Sequence, residues 1–336
     1  MNKNNILSSV LAAALIFSGC GAESESSSVD ESSKEAVSKT TASSKSSETA
    51  MVDSSAIEPD EGADLNDYKT ISEAYLSGET SGLDRLQRDI LQAAEDILLS
   101  TVNDEMTLIE KELAIHDRLS EEIHYDESSL SVLGGHSEHA ADLYGGLVEH
   151  NAICTGYAVS FALMMEMIGV EAIVVEGTNS EGNAHAWDQV RLDGEWYCVD
   201  LTWDDLDPET GSVYVKHQYF NCTGDYFYEH YHRWTMKDYP KATGTDLAYG
   251  RQFFATADSL EAVDAMLESA VSRGCGDICL IPEGDIAFDL SSKKYERNDI
   301  FYDIMDLIFD RMLYTYNYEP VKTDKGWALM ISFRDE

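Results

Sequence analysis

Three side chains of this sequence have complementary chemistry, and they occur in the chain order Cys154, His185 and Asp200. A thiol, an imidazole and a carboxylate are the groups that nucleophilic acyl transfer requires. In that reaction His185 accepts the proton of Cys154 and later delivers it to the leaving amine, while Asp200 fixes the ring tautomer. The backbone N–H of Cys154 is the predicted first donor to the oxyanion, and the sequence identifies no second donor.

The stretch after Cys154 predicts the helix that would position the thiol. Nearly every residue from Val159 to Ile168 is apolar, and Gly169 ends the run, as in a buried helix with a C-terminal glycine. A thiol in the first turn lies at the positive end of the helix dipole, where the thiolate is favoured over the thiol. The alternative is a core cysteine that acts as a small hydrophobic side chain.

The histidine and the aspartate lie on two strand-like runs separated by Asp193-Gly194. Asp-Gly between alternating apolar residues predicts a hairpin with a two-residue type I′ turn. In that hairpin Leu192 faces Glu195, and each step back along one strand matches a step forward along the other.

Counted outward from the turn, this register pairs Trp187 with Asp200 and His185 with Thr202. His185 and Asp200 then share one face as diagonal neighbours, a separation that an imidazole and a carboxylate can bridge. A three-residue turn would shift the register by one residue and place Asp200 on the opposite face. The predicted triad therefore depends on the register of this hairpin.

Several motifs around these residues resemble the bacterial transglutaminase-like superfamily, over roughly residues 105 to 235. They are Glu110-Lys111-Glu112-Leu113-Ala114-Ile115-His116-Asp117, Tyr125-Asp126, Gly145-Gly146-Leu147-Val148, Ala152-Ile153-Cys154-Thr155-Gly156-Tyr157-Ala158, His185-Ala186-Trp187 and Asp200-Leu201-Thr202-Trp203-Asp204-Asp205. The resemblance implies a papain-like core with Cys154 as nucleophile, His185 as base and Asp200 as orienting acid. Asp188 stands where many members have Asn. Members include peptidases, transamidases and catalytically inactive proteins, so the resemblance indicates a chemistry more firmly than a substrate.

Apolar residues at helical spacing predict three helices before the catalytic segment, over residues 67–76, 83–102 and about 105–124. His116 falls in the third helix and is expected to be structural. Residues 171–177 predict a buried strand, and Val213 to Asn221 resembles the closing strand of the superfamily. The aromatic-rich stretch from Tyr226 to Trp234 is expected to pack against the core.

From about Thr245 the motifs of the superfamily stop, and a new order of elements begins. Strand, helix, strand, helix and a closing hairpin predict a small α+β domain with its helices on one face of a sheet. The predicted fold class of the whole chain is α+β: a papain-like core, with the cysteine helix packed on an antiparallel sheet, plus this accessory domain. Four parts are predicted along the chain: an N-terminal signal at residues 1–20, a tether at 21–63, the papain-like domain with its N-terminal helices at 64–244, and the accessory domain at 245–336.

Residues 1–20 are typical of an export signal, with Lys3 before an apolar run from Ile6 to Phe17. The following Ser18-Gly19-Cys20 resembles a bacterial lipobox, which implies cleavage before Cys20 and diacylation of its sulfur. A plain secretory signal is the alternative. Residues 21–63 are rich in Ser and acidic residues and predict a disordered tether. The sequence thus predicts a lipoprotein held outside the bacterial membrane.

Composition limits the partners of the chain. Its 336 residues carry a formal net charge of −40, which repels phosphate backbones and argues against nucleic acid as a partner. A peptide or protein substrate outside the cell is expected, with basic peptides or polyamines favoured by the charge. No cofactor and no metal site are predicted, since His136, Glu138 and His139 lack the spacing of a recognised zinc motif.

The remaining cysteines do not form a recognised motif. Cys198 is expected to be a buried hydrophobic side chain. Cys275 and Cys279 predict two buried thiols, although they could pair in an oxidising compartment.

Three functions are consistent with these patterns. The first is an anchored thiol enzyme that forms an acyl-thioester on Cys154 and transfers the acyl group to water, as a peptidase or amide hydrolase does. The second is a protein-glutamine transamidase that transfers the acyl group to an amine. The third is a non-catalytic binding lipoprotein that keeps the fold. The partner of the C-terminal domain is not indicated by the sequence.

Overall fold

The computed structural model describes residues 63–130, 135, 137–205, 215–230, 232–236, 238–311 and 313–335. Contacts divide the chain into residues 1–57 and 58–336, and all the described residues belong to the second unit. The predicted signal, Cys20, nearly all of the predicted tether, and His136 therefore lie outside the described residues. Among the described helices, none combines the length and apolarity needed to cross a membrane.

The N-terminal part of the described chain builds helices, a four-stranded sheet (the first sheet) and a separate two-stranded parallel sheet. In chain order its elements are α1 (Tyr68–Ser77), α2 (Arg85–Thr101), α3 (Leu108–Glu122), β1 (His124–Tyr125), β2 (Asn151–Ala152), α4 (Cys154–Met167), β3 (Glu171–Thr178), β4 (Ala184–Leu192), β5 (Glu195–Val199), α5 (Leu201–Asp204), α6 (Gly224–Glu229) and β6 (Arg233–Trp234). The side chains of Asp67, Asp84 and Thr107 cap α1, α2 and α3 by accepting N–H groups of the first turns. The three predicted N-terminal helices are confirmed, and these caps fix where each helix starts.

Helix α4 is the centre of the first hydrophobic core. Because its sequence is apolar on all sides, it can be stable only where every face is covered, and residues 156–165 are all buried. It packs against α1 and α3 on one side and against β3 and β4 on the other. Gly169 adopts a positive φ of 84° just after the helix, as predicted for its end.

The first sheet is antiparallel, with strand order β5-β4-β3-β6. Asp193 and Gly194 have φ values of 50° and 86°, as a type I′ turn requires at both positions, and Leu192 pairs with Glu195. The predicted two-residue turn and its register are therefore confirmed. The fold class predicted from the sequence, a cysteine helix on an antiparallel sheet, is confirmed as well.

The closing strand predicted from Val213 to Asn221 is wrong for the residues that the structure describes there. Val215 forms only an isolated bridge with Cys275, and turns follow it. The N–H groups of His217 and Tyr219 donate to the side chains of Asp277 and Asp204 rather than to a neighbouring strand. Side-chain acceptors thus replace the strand ladder in this segment.

The C-terminal part follows the predicted order of elements from its first strand onward, but a short helix that was not predicted precedes this strand. It contains α7 (Tyr249–Gln252), β7 (Ala255–Ala257), α8 (Leu260–Ser272), β8 (Asp277–Pro282), α9 (Asp299–Asp310), β9 (Leu313–Lys322) and β10 (Trp327–Asp335). The second sheet has the order β7-β8-β10-β9, with a parallel pair formed by β7 and β8 and antiparallel pairs elsewhere.

The two faces of the second sheet have different neighbours. Apolar residues of α8 and α9 cover one face and share a core with Cys275. The opposite face, which includes Cys279, packs with Phe220 and Tyr249 and with residues of α3. Cys275 and Cys279 are both free thiols in different clusters, so the pair that the sequence left open does not form.

Candidate active site

The structure places Cys154 at the first residue of α4, half-buried, and His185 near the start of β4. The thiol of Cys154 lies close enough to the imidazole of His185 to help raise the pKa of that ring. Ile153, which precedes the helix, provides no side-chain cap, so the side chain at that position does not compete for the N–H groups of the first turn. The thiol and its predicted oxyanion donor therefore lie at the same helix end.

Asp200 lies on the other side of the His185 ring. The Nε2 atom of His185 is 2.6 Å from Oδ2 of Asp200, and the carboxylate is fully buried. Because Nε2 is taken by Asp200, Nδ1 is the ring atom left for Cys154. The structure thus brings the three predicted catalytic side chains together in the order thiol, imidazole and carboxylate.

The strand pairing reaches this site only in part. The register holds from the turn to the pair of Asp188 and Val199, where β5 ends. Asp200 instead becomes the N-cap of α5, where its Oδ1 atom accepts the backbone N–H of Trp203 at 3.1 Å. The predicted pairs of Trp187 with Asp200 and of His185 with Thr202 do not form, because the chain turns into a helix at Asp200.

A second histidine, His232, shares the oxygen that holds His185. Its Nε2 atom is 2.8 Å from Oδ2 of Asp200, and its Nδ1 atom is 3.2 Å from the backbone oxygen of His230. His232 is fully buried. Sequence reasoning placed this residue only in the aromatic-rich stretch, and its position just before β6 offers no local signal of a contact with Asp200. The stretch packs against the core as predicted, through Phe227 and Trp234.

Charge and burial act in opposite directions on the His185 ring. Burial disfavours the charged imidazolium, but the negative charge of Asp200, its hydrogen bond and the contact with Cys154 outweigh it and raise the pKa of His185 to about 10. Burial would likewise raise the pKa of Asp200, but the charges and hydrogen bonds of His185 and His232 hold it below its ordinary value. At neutral pH the ring of His185 is therefore protonated.

Aromatic rings enclose the histidine pair. The ring of Trp203 stacks on His185 with centroids 4.9 Å apart and planes at 24°, and it lies 4.4 Å from His232. Phe227 and Trp187 pack against His232 at 4.2 and 5.0 Å. These aromatic side chains limit the access of water to the ion pair of His185 and Asp200. The lower local dielectric constant strengthens the attraction between the two charges. The sequence did not assign Trp203 a role, although it lies three residues after Asp200.

The segment before the catalytic helix is hydrogen-bonded to the residue that precedes Cys154. The backbone N–H of Ile153 donates to the oxygen of Ala140 at 2.8 Å. His139, part of the zinc candidate that the sequence rejected, lies 2.9 Å from Asp142 through its Nδ1 atom. The carboxylate of Asp142 raises the pKa of His139, against a smaller opposing effect of burial.

Replacing Gly156 by alanine is expected to destabilise the start of α4. A Cβ atom at this position would lie 2.6 Å from the oxygen of Ala140 and 2.7 Å from Cβ of Ala152, so backbone must shift. Overpacking of this kind costs roughly 1–3 kcal/mol, and thermal unfolding should show a lower midpoint. Gly82→Ala is the control, since no atom lies within 4 Å of its Cβ position. Equal midpoints for Gly156→Ala and the wild type would contradict the expected overlap.

Asp188 is a buried acid on β4 that takes no part in the triad. It is 0% exposed, and neither carboxyl oxygen has a hydrogen-bond partner among the described residues. Burial, reinforced by the charge of Asp200, raises the pKa of Asp188 well above its ordinary value. In the unfolded protein the carboxyl group of Asp188 ionises near pH 4, whereas in the folded protein it stays protonated to higher pH. Unfolding therefore releases a proton, and the free energy of unfolding falls as pH rises.

Asp188→Asn is therefore expected to flatten the pH dependence of stability. From about pH 5 upward, the free energy of unfolding of the variant should exceed that of the wild type by an amount growing at up to about 1.4 kcal/mol per pH unit. Urea unfolding between pH 5 and pH 8 measures this difference. Asp193→Asn is the control, because Asp193 is exposed in the type I′ turn, where Asn is also suited. Parallel curves for Asp188→Asn and the wild type would contradict the raised pKa.

Comparisons with known proteins agree with the geometry. The model of the transglutaminase-like superfamily matches residues 95–201, which include Cys154, His185 and Asp200. Kyphoscoliosis peptidase of Homo sapiens is 29% identical over 153 residues, which are 42% of this chain and 21% of that protein. This chain thus spans about a fifth of the length of that relative.

Two solved structures share part of the chain at lower similarity. A TGase crystal structure is 22% identical with a TM-score of 0.29 and covers 40% of this chain and 37% of that one. A candidate cysteine protease from Cytophaga hutchinsonii is 20% identical with a TM-score of 0.27 and covers 40% of this chain and 47% of that one. TM-scores this low do not establish a shared fold, so the family assignment depends on the superfamily model. Together with the site geometry, that match supports a cysteine-dependent enzyme, and the chain carries a domain of the transglutaminase-like superfamily at residues 95–201.

Proposed function

We propose that this protein is a cysteine-dependent acyl-transfer enzyme that hydrolyses peptide or side-chain amides through a thioester on Cys154. The observation that carries the proposal is the position of His185, which lies beside the Cys154 thiol and holds Asp200 at 2.6 Å through its other side. A cysteine that served only as a small hydrophobic side chain of the core would need neither an imidazole beside it nor a carboxylate bonded to that imidazole.

The reaction follows from these contacts. His185 takes the proton of Cys154, and the thiolate sulfur adds to the amide carbon. The resulting oxyanion lies at the N-terminal end of α4, where the N–H of Cys154 donates to it. When the C–N bond breaks, His185 gives its proton to the leaving amine. Water then attacks the thioester while His185 accepts a proton from it, and the acid product and the Cys154 thiol are released.

Water is the proposed acyl acceptor. Transfer to an amine requires a site that holds the amine and excludes the far more concentrated water, whereas hydrolysis needs no dedicated acceptor site. The proposed substrates are peptides or proteins outside the cell. The net charge of −40 favours basic substrates through long-range attraction.

The proposed location is the outer face of the bacterial membrane, with a lipid on Cys20. Support comes from the apolar run between Ile6 and Phe17 and from Ser18-Gly19-Cys20. The Ser-rich and acidic composition of residues 21–63 suits a spacer between the lipid and the domain. Radiolabelled palmitate incorporation, compared between the wild type and Cys20→Ser, tests the anchor, and equal labelling of both would contradict it.

The reaction itself is tested with the purified full chain and a library of short peptides, some containing glutamine, with and without a fluorescent primary amine. New amino termini or released ammonia, absent in Cys154→Ala, would support hydrolysis. Incorporation of the amine in preference to water would identify a transamidase instead. If no peptide changes, and a peptide-based electrophile such as a fluoromethyl ketone does not label Cys154 faster than a simple alkyl halide, the binding lipoprotein becomes the better interpretation.

A further inference from the structure

A second cluster of histidines and carboxylates lies outside the active site, where α3 meets the second sheet. His116 and Asp117 are neighbours on α3, and His217 lies in the turn segment before α6. Asp204 of α5 and Asp277 of β8 complete the cluster. The proposed acyl-transfer mechanism uses none of these side chains.

Three donor atoms of this cluster have the spacing of metal ligands. The Oδ1 atom of Asp117 is 2.8 Å from Nε2 of His217 and 3.1 Å from Nδ1 of His116. All three atoms lie within 4.8 Å of one another. Donors at about 2.0–2.1 Å from a tetrahedral zinc ion are about 3.3 Å apart, so an ion could enter this triangle after small side-chain movements.

The two imidazole rings also have the separation that a shared ion requires. The ring centroids of His116 and His217 are 5.3 Å apart, with planes at 34°. Two imidazoles on one tetrahedral zinc ion, each bound at about 2.0–2.1 Å, have centroids about 5 Å apart. Both rings are already turned so that one nitrogen of each faces the same carboxylate oxygen.

The outer nitrogen of each ring faces a buried carboxylate. Nε2 of His116 is 3.4 Å from Oδ2 of Asp204, and Nδ1 of His217 is 3.1 Å from Oδ2 of Asp277. Both carboxylates are 0% exposed in their side chains. Metal-bound histidines usually donate their second N–H to a carboxylate, which fixes the tautomer and increases the basicity of the ligand. Here His217 has such a partner in Asp277, and His116 has the carboxylate of Asp204 within ion-pair distance, where a small rotation of the ring would form the bond.

The surroundings provide rigid walls and an entry path. Tyr249 stacks on the His217 ring with centroids 4.1 Å apart and planes at 6°, and Phe220 contacts both histidines edge-on. The two rings are essentially buried, whereas the side chain of Asp117 is 38% exposed. Of the three donor residues Asp117 is therefore the one open to solvent, and an ion and the water in its fourth position would enter from its side.

We propose that His116, Asp117 and His217 bind one zinc ion, with solvent as the fourth ligand. Two imidazoles and one carboxylate form a donor set that suits this ion, and tetrahedral geometry fits the ring spacing. The ion would connect α3 to the second sheet, because His217 also holds Asp277 through its side chain and its backbone N–H. This zinc site is structural, and it is independent of the proposed reaction.

The site is tested on the purified, untagged full chain, stripped of metal with a chelator and then titrated with Zn²⁺ alone. Inductively coupled plasma mass spectrometry after dialysis is expected to find one zinc per chain. Asp117→Asn, which keeps the side-chain shape, should weaken zinc binding at least tenfold in competition with a chromogenic chelator. His217→Gln should do the same, and added Zn²⁺ should raise the unfolding temperature of the wild type but not of either variant.

Two control variants separate this site from the active site, whose His185, Asp200 and His232 also lie within 4.8 Å of one another. Cys154→Ala and His232→Gln each remove a donor there and should keep the zinc stoichiometry and affinity of the wild type. Failure of the wild type to bind one equivalent would overturn the proposal, and so would binding lost with His232→Gln or Cys154→Ala but kept in Asp117→Asn. If either cluster variant fails to fold, the wild-type titration and the two controls still decide the question.

Discussion

Replacement of Cys154 by alanine is expected to lower amide hydrolysis by at least about 10³-fold, because it removes the only proposed nucleophile while leaving α4 intact. Alanine suits the first turn of a helix, and the half-buried thiol makes a small contribution to the core. The comparison is kcat/KM on whichever peptide the wild type cleaves fastest. Cys279→Ala, which removes a buried thiol from the second sheet, is the control and should keep the wild-type value.

The activation of Cys154 by His185 can also be tested by the rate of thiol alkylation, without a substrate. Iodoacetamide should alkylate Cys154 rapidly at neutral pH and continue to do so in mildly acidic solution, with the modified residue located by peptide mapping. His185→Ala should slow this reaction at acidic pH, because the imidazolium that accompanies the thiolate is lost. A rate that rises only in the ordinary range of thiols, with or without His185, would show that Cys154 is not activated.

The local parts of the site could be predicted because each depends on short-range rules. An apolar run that begins at Cys154 and ends at Gly169 can only be a buried helix, since its length exceeds that of a strand. Asp193-Gly194 fixes a turn in which both residues have positive φ, and the turn fixes the register. This register brings the chain as far as the pair of Asp188 and Val199, next to Asp200, and the last two counted pairs do not form.

The rest of the site depends on contacts between residues far apart in the chain. The end of β5 could not be predicted, because Asp200 can either continue a strand or cap the N-terminus of a helix. In the structure it caps α5, and the strand ends one residue earlier. His232 reaches the same carboxylate from 32 positions away, across α6 and a segment with no strand pattern. Periodicity describes one element at a time and cannot report such a contact.

The junction of the two sheets was missed for a similar reason. The sequence predicted the order of the C-terminal elements correctly but gave no indication that one sheet face would pack against α3. His217 was assigned to a strand, since Val213 to Asn221 resembles the closing strand of the superfamily. In the structure it is buried between the side chains of Asp117 and Asp277, and these carboxylates hold the segment as a turn.

Asp200→Asn is expected to lower kcat/KM by on the order of 10²–10⁴-fold and to narrow the pH range of activity. The proton that His185 delivers to the leaving amine is present below the pKa of the ring and is lost above it. With Asp200 ionised that pKa is about 10, so wild-type activity should fall only in strongly basic solution. The charge of Asp200 is the largest effect raising the pKa of His185, so its removal lets burial lower that pKa. The decline of activity at basic pH, the basic limb of the pH profile, then moves to lower pH.

The position of the basic limb distinguishes this role from a structural one. Asp200 also caps α5 and holds His232, so the variant is expected to unfold more easily, but lost stability alone lowers activity without shifting the limb. Asp193→Asn removes the same charge from the turn of the same hairpin and should leave the limb in place. His232→Gln leaves the charge of Asp200 next to His185, so its limb should stay near that of the wild type even if its rate falls. A basic limb that is the same in Asp200→Asn and the wild type would show that Asp200 does not support the charge on His185.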